Sequence, residues 1–188
     1  MFPLLFSNAF IPIVLFVAEI GLVIAISAAI HKLSAQMATM LFMLYAFLNG
    51  LTFSVIFLAY EIGSIVNAFV ATAGTFLAMS VYGTVTKRDL TSLGSFLMMG
   101  LFGIIIASVV NIFLGSSMMD FVISCAGVLI FTLYTAYDTQ KIREFGMSAP
   151  IGDGEAVQRG AILGALELYL DFINLFIHLL RLFALSRD

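Results

Sequence analysis

Residues 167–176 read E-L-Y-L-D-F-I-N-L-F, and the fold turns on how this stretch is read. It places two carboxylates and an amide inside the last long apolar run of the chain, where a bilayer favours none of them. Working outward, Gly160, Gly164, Glu167, Asp171, Asn174, His178 and Arg181 recur at three- and four-residue steps. A helix puts such positions on one stripe. The remaining positions are mostly Leu, Ile, Phe and Ala, fit for lipid or for packing. The stripe therefore asks for a helical bundle that houses it, and for a partner. The nearest candidate partner is Tyr137-Asp138, at the end of the preceding apolar run.

Composition points the same way. The chain is 62% apolar and 10% charged, with a mean hydropathy of +1.15. Soluble domains are roughly half apolar and a quarter charged, so this is an all-α integral membrane protein. One cysteine, Cys125, excludes an internal disulfide and offers no metal-ligand pattern, and is read as packing. Trp is absent, so an interfacial aromatic belt must come from Tyr and Phe. No Lys or Arg precedes Lys32, so the first apolar run is read as a span and not as a signal peptide.

A bilayer core takes about 20 apolar residues per helix. Six such runs are expected within one transmembrane domain, at 9–30, 36–59, 64–85, 93–114, 119–140 and 159–184. In the fourth, Gly100, Gly103, Ala107 and Asn111 form a small-residue stripe suited to close helix contact. Residues 144–157, with Gly146, Pro150, Gly152 and Gly154, read as the one long flexible loop. Lys32, Lys87, Arg88, Lys141, Arg143 and Arg159 cluster after spans one, three and five; the other side holds Arg187, with Arg181 near a helix end. The loops at 31–35, 86–92 and 141–158 are therefore expected in the cytoplasm, most simply of a bacterial inner membrane, with both termini opposite.

Four carboxylates lie in or near the apolar runs: Glu19, Asp138, Glu167 and Asp171. Each costs about 2.5–3.5 kcal/mol at bilayer depth if charged and alone. Arg181 is the one basic residue comparably placed, so some of these acids must be protonated, share protons, face water or bind a cation. Span five has its own face of Ser124, Gly127, Phe131, Tyr134, Asp138 and Lys141. Asp138, however, lies at the loop end of its span, and Asp171 is twelve residues into the next, roughly 18 Å at the helical rise. The two meet only if one of their helices extends past the bilayer. Glu19, Glu167, Asn174 and His178 are candidate cation-lining groups, with Asp171 and Glu167 able to hold a cation in transit. His178 reads first as a packed or interfacial group. Asn49, Asn67 and Asn111 read as interhelical hydrogen-bond formers. No phosphate-binding loop, zinc site, redox cofactor or nucleic-acid surface is expected.

Residues 136–142, A-Y-D-T-Q-K-I, and 161–176, A-I-L-G-A-L-E-L-Y-L-D-F-I-N-L-F, closely resemble the bacterial branch of the Bax inhibitor-1 (transmembrane Bax-inhibitor-motif) family. T-K-R-D-L at 86–90 and G-S-F-L at 94–97 also look like it, so the resemblance covers almost the whole chain. It implies a seven-helix fold with the last helix central. It also implies a pH-sensitive calcium leak channel whose sensor is a hydrogen-bonded aspartate pair, here Asp138 and Asp171. Two features depart from the family. Its usual first helix is lacking, leaving six spans. Glu167 stands where relatives have a small or neutral residue. A basic residue that latches the pair in some relatives falls at Ile30, with His31 adjacent.

The leading expectation is thus a passive cation pathway gated by a proton-sharing aspartate pair, with calcium as the transported ion and no enzymatic activity. A second is a non-transporting regulator that binds other membrane proteins, such as a quality-control protease. A third, an intramembrane aspartyl protease, would use two acids as acid and base. It lacks support, because Asp171 follows Leu168-Tyr169-Leu170 instead of Gly-x-Gly and no Pro-Ala-Leu motif occurs.

Overall fold

A computed structural model describes residues 10–148 and 153–185; residue 9, Pro150, Gly152 and Arg187 lie outside that range. Among the described residues all regular structure is helical: α1 (Phe10–Ala29), α2 (Ala35–Phe53), α3 (Ile56–Ala59), α4 (Ile62–Val85), α5 (Leu93–Leu114), α6 (Ser117–Ser148) and α7 (Gly154–Leu185). Without water in a bilayer core, backbone amides and carbonyls must pair within the segment, which an apolar run achieves as a helix. Among the described residues, five stretches are long and apolar enough to cross a membrane (α2 with α3, α4, α5, α6 and α7), and α1 contributes a shorter apolar helix. Their outer faces are unburied apolar side chains, such as Phe113 at 84% and Ile112 at 78% exposure, as lipid-facing positions should be.

The described residues fall into two compact units. The first contains α1, α2, α3 and the start of α7 through Leu166. Ser34 caps α2, its hydroxyl accepting the Met37 amide at 3.2 Å. The expected span 36–59 is broken at Ser54-Val55. The Ser54 hydroxyl donates to the Leu51 carbonyl at 2.6 Å, and the Val55 amide closes on Thr52 at 3.3 Å. A serine hydroxyl that competes for a helix carbonyl in this way bends or ends the helix. Arg159, in the start of α7, donates to the Leu33 carbonyl at 3.3 Å and pairs with Glu155 at 3.6 Å.

The second unit contains α4, α5, α6 and α7 from Glu167. Close approaches at glycines bring its helices together. A side chain at Gly83 of α4 would collide with the Ala136 carbonyl of α6. One at Gly94 or Gly100 of α5 would meet Tyr137 or Ile130 of α6, at 2.8 Å and 2.6 Å. One at Gly127 would strike the His178 ring of α7. Gly103, in the same small-residue stripe as Gly100, has open space around it. Phe172 of α7 meets Phe69 and Phe76 of α4 edge-on, at 6.0 and 5.4 Å. Gly115 ends α5 with φ 59°, a left-handed conformation that glycine adopts without strain.

The long loop expected at 144–157 is mostly helix. Residues 141–148 contain Lys, Arg, Glu and Met, all good helix formers, and α6 runs through them to Ser148. The Asp153 carboxylate accepts the Ala156 amide at 2.9 Å, which starts α7 at Gly154. Each helix is 32 residues long. That is about 48 Å at the helical rise, against a hydrocarbon core of about 30 Å. Both therefore extend past the bilayer, which satisfies the condition for Asp138 to reach Asp171.

Candidate functional site

Contacts between α6 and α7 climb one helix as they descend the other, so the pair is antiparallel. Lys141 faces Glu167, Asp138 faces Asp171, and Phe131 faces His178. The two polar stripes read from the sequence are thus the two faces of one interface. Asp138 is 7% and Asp171 4% exposed, and their carboxyl groups stand within hydrogen-bonding contact. Both line a cavity of about 460 Å³ with Tyr134, Lys141, Glu167 and Asn174.

The geometry of the pair constrains its chemistry. A carboxylate accepts hydrogen bonds and donates none. The Asp171 Oδ2 is buried with no donor among the described residues. A buried acceptor without a donor costs about 1–3 kcal/mol, more when charged. A proton on one aspartate supplies the missing donor, and one proton is enough to join both groups.

Glu167 is occupied elsewhere. Its Oε1 accepts from the Lys141 Nζ at 2.6 Å. The arrangement is a carboxyl pair flanked by an ion pair, and the acids do not form a triad. Among the described residues no three His, Cys, Asp or Glu side chains gather closely enough to hold a metal ion. Asn174 lines the cavity while its Nδ2 donates to the Leu170 carbonyl at 2.8 Å. His178 does not line it. Its ring stacks on Phe131 at 5.7 Å, and its Nδ1 has no partner among the described residues. That layer lies seven residues from the aspartates along each helix, about 10 Å away.

Glu19 belongs to the first unit. It is 8% exposed, and accepts from Asn49 Nδ2 at 3.1 Å and Thr52 Oγ1 at 2.5 Å. Asn49 is an interhelical bond former as expected. Ile30 is 3% exposed, and His31 is on the surface. The sequence put Tyr134 and Lys141 on the face of span five without a role at the aspartates, and did not single out Gln140. Lys141 is the cation beside the aspartates. Tyr134 puts a buried hydroxyl, without a partner among the described residues, into the cavity wall. Gln140 is a clamp: it accepts the Leu90 amide at 2.8 Å and donates to the Arg88 carbonyl at 2.9 Å, fixing the 86–92 loop to α6. The signal for Lys141 and Gln140 was their adjacency to Asp138 in the Y-D-T-Q-K run.

The sequence profile described as "Inhibitor of apoptosis-promoting Bax1" matches residues 1–188. The chain belongs to the Bax inhibitor-1 family. Inner membrane protein YbhL of Escherichia coli is 50% identical over 184 residues, covering 98% of this chain and 79% of the relative. A Borreliella burgdorferi protein is 51% identical over 185 residues, covering 98% and 79%. A Deinococcus radiodurans protein is 44% identical over 174 residues, covering 93% and 74%. Like other family members, the protein is a multi-pass membrane protein, and the aspartates that carry the family resemblance are the two that face each other here.

Proposed function

We propose that this family member is a pH-sensitive cation leak channel of a bacterial inner membrane, carrying calcium, with Asp138 and Asp171 as its gate. The observation that carries the reading is the facing of two buried carboxyls, one with an oxygen left without a donor. With one proton between them, the pair bonds α6 to α7. When the proton leaves, two like charges stand in contact. At about 4 Å and an effective dielectric constant near 20 their repulsion is ~4 kcal/mol. That is about three decades in a two-state equilibrium, enough to shift the relative position of two helices. An oxygen-rich site of this kind suits calcium, which would offset the repulsion as it passes. The basic segments 31–35, 86–92 and 141–158 face the cytoplasm on this reading.

The test is calcium flux into proteoliposomes that contain the purified protein, measured across pH. A flux that rises and falls with pH, and is absent from protein-free vesicles, is expected. Vesicles no more permeable than protein-free ones at every pH would refute the channel.

A further inference from the structure

A second cavity, of about 560 Å³, lies at the other end of the second unit. Its polar wall is built by the turn between α5 and α6. Asn111, 5% exposed, accepts the Ser116 amide at 3.0 Å and donates to the Ser116 carbonyl at 3.1 Å. The same Nδ2 donates to Asp120 Oδ1 at 2.7 Å, which fixes that carboxylate in the cavity wall. Arg181 of α7, four residues before Leu185, lines the same cavity. Among the described residues neither Arg181 nor Asp120 has an ion-pair partner, and the two do not pair with each other. Tyr60 and Ser108 add hydroxyls, and Ile112 and Leu185 add apolar wall. Ile112 is 78% exposed and its neighbour Phe113 84%, so this wall is continuous with the lipid-facing surface.

An anchored carboxylate and a guanidinium thus share one cavity, separated by a gap and bordered by lipid. A ligand that fills the gap must bring an anion to Arg181 and a cation to Asp120. The guanidinium fork matches phosphate oxygens in a bidentate way. The carboxylate matches a primary ammonium and repels a headgroup that is only anionic. The exposed Ile112 wall gives acyl chains a way in from the bilayer, which a soluble solute would not need.

We propose that this cavity binds the headgroup of a zwitterionic phospholipid, with Arg181 on the phosphate and Asp120 on a primary ammonium. The site does not depend on the aspartate pair, so its test stands or falls separately from the channel reading.

The experiment is native mass spectrometry of the detergent-purified full chain, mixed with phosphatidylethanolamine, phosphatidylglycerol or phosphatidylcholine. Parallel arms contain free phosphoethanolamine or inorganic phosphate. Phosphatidylethanolamine should be retained about tenfold over phosphatidylglycerol, the equivalent of one decade in Kd. Asp120→Asn keeps an oxygen for Asn111 and the turn intact, and should invert that preference. Arg181→Gln should lose both lipids. Equal retention of the two lipids by the wild type, or an unchanged preference in Asp120→Asn, would overturn the proposal even if Arg181→Gln fails to fold. Displacement of the lipid by free phosphoethanolamine or phosphate at equal concentration would show a solute site and overturn the lipid assignment.

Discussion

Glu167→Gln perturbs the charge balance of the aspartate cavity without touching the aspartates. Glu167 precedes Asp171 by one helical turn on the same face and holds Lys141 at 2.6 Å. Neutralising it removes a negative charge from beside the pair. It also frees a lysine that follows Asp138 by three residues on α6. Both changes favour the ionised pair. Groups four residues apart on a helix are ~6 Å from one another, giving a unit-charge interaction of ~3 kcal/mol at a dielectric constant of 20 and ~0.7 kcal/mol at 80. The side chains of Lys141 and Glu167 are 49% and 24% exposed, so solvent screening pulls the value toward the lower end. About 1.4 kcal/mol is a reasonable middle, and that is about one pH unit. The midpoint of the flux-versus-pH curve in proteoliposomes should therefore move about one unit to lower pH, whichever side of it conducts. Lys141→Met should move it the other way, because the pair then loses its cation and keeps an unneutralised Glu167. Exposed ion pairs are worth roughly 0.2–1 kcal/mol, so both variants should stay folded. An unmoved midpoint in both variants, or shifts of the same sign, would refute the electrostatic account.

Other substitutions test the packing. Gly83→Ala drives a methyl into the Ala136 backbone carbonyl and should lower stability in detergent by at least ~1–3 kcal/mol, whereas Gly103→Ala, in open space, should be neutral or stabilising by up to ~1 kcal/mol. A thermal denaturation series of the two separates them. Gln140→Leu leaves the buried Leu90 amide without its acceptor, a loss of about 1–3 kcal/mol, and should speed hydrogen exchange in the 86–92 loop while the exchange of α5 stays slow. In that loop the Thr91 hydroxyl and amide hold the Asp89 carboxyl below the usual carboxylate range. The contact is complete above the ordinary Asp pKa and is lost as pH falls through the lower folded value. Protection of the Thr91 amide should therefore persist into the acid range where a free Asp is already protonated.

Much of the architecture was legible because an apolar run bounded by polar breaks has few alternatives. The fourth span was read at 93–114, and α5 has those bounds, set by a charged loop before and Gly115 after. Helix ends made of charged residues were not legible. Residues 141–148 and 154–158 look like loop by polarity, yet they are helix formers with an Asp153 cap, and the bilayer places no limit on a helix that continues into water. The break at Ser54 was hidden for a related reason, since a hydroxyl inside an apolar run reveals nothing about which carbonyl it takes. At the site, periodicity gave the two faces but not their register. It put Glu167 and Asp171 on one stripe without showing that Lys141 faces the first and Asp138 the second. His178 shared the stripe, but stacks on Phe131 and does not itself line the aspartate cavity, whose wall Phe131 helps to form.

On the proposed function, one proton shared by Asp138 and Asp171 sets the state of the path. The most direct measurement is the pH profile of calcium flux in proteoliposomes for Asp171→Asn beside the wild type. An asparagine donates to Asp138 at every pH, so the pair cannot lose its bond by titration. The flux of Asp171→Asn should no longer change with pH across the wild-type transition. A profile in Asp171→Asn that matches the wild type would contradict that reading.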